Sequence, residues 1–232
     1  MLSRVAVIPM LDREVYLYAE VDRIVGLRSG TARRWINGYE RGGKHYEPIL
    51  RVMSRDTEWA TWGEFVETRI LAELREEVQT RRLRLAIQAL RHTFRVDYPL
   101  AHLRPYLSAA NHELILGGSD VGLDEAKMVV RTGQMLLGDG WPLIERAKLG
   151  VDEHGESFVA ELPADDEFPD IVINPQRFSG QPTIAGRRIA VATIAGMRKA
   201  GESEEDLAAD YGLSIAQVRA AVDYAKKHRV AA

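Results

Sequence analysis

The sequence predicts a mainly helical α+β chain in three units, and three observations carry that expectation. Apolar residues recur at helical spacing through 65–74 and 83–94, each run leaving a polar face opposite. Short helical runs at both ends of the chain are broken by a glycine, Gly26 near the start and Gly212 near the end. Between them the apolar runs shorten and glycines crowd the gaps, which is the pattern of strands and turns. The units expected are 1–55, a mixed α+β middle at 56–165, and 166–232.

With 46% apolar and 28% charged residues, a chain of 232 residues can bury a sizeable core and divide into two or three modules. There is no cysteine, which excludes disulfides, thiolate zinc sites and a thiol nucleophile, and suits a reducing cytoplasm. The stretch before Pro9 holds one arginine and an apolar patch (Val5, Ala6, Val7, Ile8) too short for a signal peptide. No other run is long enough to span a bilayer, so a cytoplasmic protein without a membrane role is expected. The net charge of −3 is unevenly spread. Residues 1–55 carry ten Lys and Arg against six Asp and Glu, residues 56–165 carry 12 against 19, and residues 166–232 carry nine of each. A polyanion would meet the first unit before the others.

Residues 16–25 read as a short strand or turn running into a helix, with Ala19, Val21, Ile24 and Val25 facing a small core. Gly26, Leu27 and Arg28 interrupt it, a second helix restarts over 29–37, and Gly38 ends that one. Gly42 and Gly43 sit at the tip of a polar stretch, 40–45, that suits a hairpin or wing, and Pro48 closes the unit. Thr61 and Glu64 have capping-box spacing, so a helix begins there and continues through Phe65, Val66, Ile70, Leu71 and Leu74. Over 80–94, Leu83, Ala86, Ile87, Leu90 and Phe94 share one face, and Arg81, Arg84, Gln88, Arg91 and Arg95 share the other. Residues 114–116, 129–130 and 158–160 are candidate strands between glycine turns, and the acidic, proline-flanked 161–169 reads as a linker. Beyond it, Ile184, Ile189 and Val191 suggest a small strand around Arg187 and Arg188. Helices follow over 193–199, ended by Gly201, and over 203–211, with Glu204, Glu205 and Asp206 where the helix dipole favours acids. Ser214 and Gln217 then have capping-box spacing for a last helix to about 229.

On this reading the first unit is a winged helix-turn-helix. Arg28, Ser29, Thr31, Arg33, Arg34, Trp35 and Asn37 lie on or beside its second helix. That helix is the size of a major groove, where Arg and Asn make paired hydrogen bonds to guanine and adenine. Thr31 and Trp35 are alternatively phosphate contacts, and Arg41, Lys44 and His45 on the wing would reach the flanking backbone. The competing reading is a helical hairpin whose arginines are only solvated. Residues 18–27 (YAEVDRIVGL) and 31–35 (TARRW) resemble the MerR-type winged helix-turn-helix family, over about the first fifty residues. The resemblance implies that the second helix docks in the major groove; the usual effector domain and dimerising coiled coil of that family do not follow.

Residues 173–175 (INP), 179–184 (SGQPTI) and 186–189 (GRRI) resemble the domain-of-unknown-function 433 family. So do Gly201, Glu205, Leu207, Tyr211, Leu213, Val218, Ala221 and Tyr224, and the likeness spans roughly 168–228. The whole layout resembles a VapB-type antitoxin of the larger kind. That resemblance implies a VapC-like PIN-domain ribonuclease toxin as partner and autorepression through operator DNA. A homodimer would suit a two-fold operator, each head reading one half-site. From the residues alone, 207–222 is a second helix-turn-helix with Gln217 and Arg219 outward, open between weak DNA contact and a dimer or toxin interface. Arg187 and Arg188 suit a phosphate or an acidic partner, or are simply solvated.

The basic face at 81–95 invites another nucleic-acid reading, but Glu73, Glu76 and Glu77 on the preceding helix can neutralise it. No enzyme, cofactor or metal site is expected. His45, His92, His102, His112, His154 and His228 are far apart, with no pair at ligand spacing. The polar clusters at 111–113 and 120–124 have no phosphate-binding glycine loop beside them. The expectation is therefore an antitoxin and operator-binding repressor, with a stand-alone ligand-responsive regulator as the alternative.

Overall fold

The computed structural model describes residues 9–74, 80–103, 105–106 and 143–230. The expected strands at 114–116 and 129–130, and the clusters at 111–113 and 120–124, lie outside these residues.

An antiparallel pair ties off the head of the chain. Strand β1 (Glu14–Leu17) pairs with β4 (Trp59–Thr61), Tyr16 opposite Ala60 and Leu17 opposite Trp59. Helix α1 (Tyr18–Val25) follows β1 directly, and Glu20 in its first turn accepts the Leu17 N–H at 2.9 Å. It turns Val21 and Ile24 to the core; Ala19 is exposed, and Tyr18 and Asp22 are buried instead. Helix α2 (Thr31–Asn37) buries Ala32 and Ile36. Strands β2 (Tyr39–Arg41) and β3 (Lys44–Tyr46) form the expected hairpin. Gly42 and Gly43 at its tip have φ of 59° and 71°, the left-handed pair that a two-residue turn needs to match the strand twist.

Helix α3 (Trp62–Leu74) runs through the middle, with Trp62, Phe65, Val66, Ile70 and Leu71 all buried. It opens on the expected capping box: the Thr61 hydroxyl accepts the Glu64 N–H at 3.2 Å, and the Glu64 carboxylate accepts the Thr61 N–H at 2.8 Å. Helix α4 (Thr80–Phe94) buries Leu83, Ala86, Ile87 and Leu90. Among the described residues its basic face anchors the head; Glu76 and Glu77, expected to neutralise it, lie outside them. Arg84 donates to the carbonyls of Glu47 and Pro48 at 2.5 and 3.1 Å, and Arg91 to those of Leu50 and Asp97 at 2.7 and 3.0 Å. Glu73 pairs with Arg69 at 2.7 Å.

Strands β5 (Lys148–Val151), β6 (Ser157–Pro163), β7 (Ile171–Ile173) and β8 (Thr183–Ile184) make an antiparallel sheet in that order. The stretch at 161–169 is therefore not a linker. Leu162 lies opposite Ile173 and Pro163 opposite Val172, and Glu161 is 2% exposed. Its acids are balanced from other elements, which composition alone does not show. Lys148 and Arg177 reach Glu161 at 2.5 and 3.2 Å, and Lys227 and His228 reach Asp165 at 2.8 and 2.7 Å. Arg187 and Arg188 lie in the connection after β8 rather than on a strand, and Val191 opens a helix.

Three helices complete the chain: α5 (Val191–Lys199), α6 (Glu204–Tyr211) and α7 (Ile215–Lys227). Ser203 caps α6, and Ser214 with Gln217 forms the expected box on α7. One apolar cluster runs from Leu11 to Ala225. Two bonds seam it: the Trp62 indole N–H to the Val159 carbonyl at 2.7 Å, and the Tyr16 hydroxyl to the Gly180 carbonyl at 2.5 Å. Among the described residues no helix is long and apolar enough to cross a membrane.

Candidate nucleic-acid interface

Asp22 fixes how α2 leaves α1. The N-cap of α2 is Gly30, which has no side chain to satisfy the first amides of the helix. The Asp22 carboxylate, held on α1, supplies both acceptors, taking the Gly30 N–H at 2.6 Å and the Ala32 N–H at 2.8 Å. A carboxylate at a helix N-terminus is also favoured by the dipole. The two helices are thus locked by one buried acid at 5% exposure, a role the sequence does not reveal because its partners lie eight and ten residues away.

Arg51 fixes the other end of α2. Its guanidinium gives Glu64 two bonds, at 2.6 and 3.0 Å. It gives one each to the Tyr18 hydroxyl (2.7 Å), the Asn37 side-chain oxygen (2.7 Å) and the Trp59 carbonyl (2.8 Å). All five N–H donors are used, which is what a buried guanidinium requires. Burial raises the pKa of the Tyr18 hydroxyl, against the lowering effect of Arg51, so the phenol stays neutral beside the ion pair. Helices α1, α2 and α3 and strand β4 therefore meet at one side chain that sequence reasoning missed.

On this frame the residues expected to meet DNA fall into two groups. Arg28, Ser29, Arg33, Arg34, Arg41 and Lys44 are exposed. Arg33 rests on Glu58 at 3.1 Å, both more than half exposed, and Arg34 donates to the Thr31 hydroxyl at 3.1 Å. On the hairpin, Tyr39 and Tyr46 stack at 4.6 Å, with the Lys44 ammonium 5.4 Å from the Tyr46 ring. Trp35 and Asn37 are turned inward. Trp35 packs on the core and its carbonyl accepts the Ile49 and Leu50 N–H groups at 2.8 and 3.0 Å. The Asn37 oxygen accepts from Arg51 and from the Arg55 N–H at 2.7 Å, while its amide donates to the Arg55 carbonyl at 2.8 Å. With both lone pairs of the oxygen taken, the paired donor–acceptor contact that asparagine makes to adenine is not open to it.

The C-terminal candidates differ in their partners. Arg187 donates to the Gly212 carbonyl at 2.7 Å, holding the connection after β8 against the end of α6. Arg188 is exposed. Gln217 is spent on its capping box, and Arg219 pairs with Glu204 at 2.6 Å.

Residues 171–225 match a family described as a protein of unknown function, DUF433. That segment runs from β7 into α7, so its first strand is bonded to β6, outside the match. The solved structure of Rv2018 from Mycobacterium tuberculosis has a similar fold, with a TM-score of 0.65 and 19% identity over 92% of this chain and 99% of that one. The same organism's "Putative antitoxin VapB45" is 25% identical over 91% of this chain and 94% of its own length. Its uncharacterized protein Rv2308 is 57% identical over 100% of this chain and 98% of its own. At that identity and coverage, the chain belongs to the family of Rv2308.

Proposed function

We propose that the chain is a non-catalytic antitoxin of a type II toxin–antitoxin pair that also represses its own operon. The observation that carries this reading is the likeness, along nearly the full length of both chains, to the protein described as VapB45. In this role the α1–α2–hairpin unit binds operator DNA as a winged helix-turn-helix. Arg28, Arg33 and Arg34 face the major groove, and Arg41 and Lys44 meet the backbone beside it. Trp35 and Asn37 set the position of α2 rather than touching DNA. The chain acts as a homodimer, and a surface outside the head blocks a PIN-domain ribonuclease. Arg188 is the basic side chain left to approach the toxin's acidic site, since Arg187 is held by Gly212.

A stand-alone regulator that answers a small ligand is the competing reading. The groove of about 870 Å³ beside α5 and α7, lined by Ala195, Arg198, Lys199, Arg219 and Val222, favours it. Co-expression with the product of the adjoining reading frame separates the two. The antitoxin reading expects a stable complex and loss of the partner's ribonuclease activity. An inert neighbour that does not co-purify, together with operator binding that changes with a small molecule, would favour the second.

A further inference from the structure

Strand β5 ends the four-stranded sheet, and among the described residues no strand covers its outer edge. The Asp152 N–H donates to the Glu156 carbonyl at 3.0 Å, which sets the phase of the ladder. Leu149, Gly150 and Val151 lie opposite Val159, Phe158 and Ser157. In an antiparallel pair the bonding residues alternate, so Gly150 and Asp152 turn their backbone groups toward β6 while Leu149 and Val151 turn theirs outward. Those same two residues are the exposed apolar side chains of the strand, at 43% and 67%. Outward N–H and C=O groups beside apolar side chains are a template for another strand, and the last three residues of β5 carry no charge or proline to deter one.

We infer that β5 is the homodimer interface, two copies pairing antiparallel about a two-fold axis at Gly150 to make one eight-stranded sheet. This takes the homodimer from the proposed function and adds its surface. The register follows from three facts. Leu149 of one copy faces Val151 of the other, twice, and these are the residues whose outward backbone groups meet no partner among the described residues. Lys148 comes opposite Asp152 of the second copy, twice, placing opposite charges across the seam. Gly150 meets its own copy on the axis; an added Cβ there would lie 2.9 Å from the Phe158 ring, so the ring already covers this point. A one-residue slip would set outward backbone groups against inward ones and lose the ladder. One added strand is a small interface, so dissociation in the micromolar range is expected.

The absence of cysteine makes the register directly readable. Leu149→Cys and Val151→Cys chains, mixed under mild oxidation, are expected to cross-link several-fold more than either variant alone. Opposed bonded residues have Cα atoms about 5.5 Å apart, within disulfide range, whereas two copies of one position lie diagonally, roughly 9 Å apart, outside it. Val151→Pro is expected to abolish association while leaving the fold intact, because that N–H faces outward. Light scattering and circular dichroism on the full chain read those two outcomes. If the wild type is a dimer but the mixture cross-links no better than the single variants, this interface is wrong and the homodimer stands. A wild type that stays monomeric at high micromolar concentration overturns both.

Discussion

Arg51 and Glu64 show what single residues contribute here. Their side chains are 3% and 1% exposed, and the pair is stabilising only because every donor of the guanidinium finds an acceptor. Arg51→Ala would leave the Glu64 carboxylate buried with only the Thr61 amide, and is expected to cost about 3–5 kcal/mol in urea unfolding. Glu67, one turn further along α3, follows a different logic. One of its oxygens accepts the Leu100 N–H at 3.1 Å and the other has no hydrogen-bond partner among the described residues. Burial lifts its pKa to about 8, outweighing the pull of Arg91, so near neutrality it is mostly an uncharged acid. The folded pKa lies above the ordinary 4.5, so the native state keeps a proton the unfolded chain gives up. Its contribution is full below that value and falls as pH rises toward about 8, by about 1.4 kcal/mol per unit. Unfolding curves for wild type and Glu67→Gln across this window are expected to draw apart from the acid side, with the wild type losing ground. A constant difference would show that Glu67 does not titrate in it.

At the level of elements, α2 is the test piece, since it is short and depends on what surrounds it. Its seven residues would not hold a helix alone. Asp22 satisfies its start and Arg51, through Asn37, its end. Asp22→Ala is expected to cost about 1–2 kcal/mol and to weaken DNA binding at unchanged surface charge on α2. Loss of stability without loss of binding would mean that the angle of α2 does not matter for recognition. The same comparison explains what could be read in advance. Capping pairs at Thr61 and Glu64, Ser214 and Gln217, and the glycine tip of the hairpin are local, with both partners within three residues. Asp22, Arg51 and the burial of Glu161 depend on partners brought together by folding, up to 33 residues apart in the case of Arg51 and Tyr18. Asn37 is the instructive miss at the interface. An asparagine ending a basic helix fits base recognition, and only Arg51 and Arg55, both beyond the helix, reveal that its side-chain oxygen is already filled.

Across the whole molecule, the seams matter more than the expected boundaries. Strand β7 is bonded to β6, Tyr16 of the head to Gly180, and Asp165 to Lys227 and His228. Residues 166–232 expressed alone would expose the edge of β7 and lose all of these, and are expected to unfold without a cooperative transition. A sharp transition in the fragment would restore an independent C-terminal domain. The charge excess of the first 55 residues is the global feature on which the proposed DNA binding rests, because the remainder is acidic or neutral overall. The head should therefore carry the salt dependence of binding. The most direct measurement is the affinity of the full chain for DNA upstream of its own gene, as a function of salt, for wild type and Arg33→Glu/Arg34→Glu. Affinity is expected to fall at least about tenfold, with a shallower salt slope, from the loss of cationic contacts. An unchanged affinity and slope would contradict the proposed DNA binding.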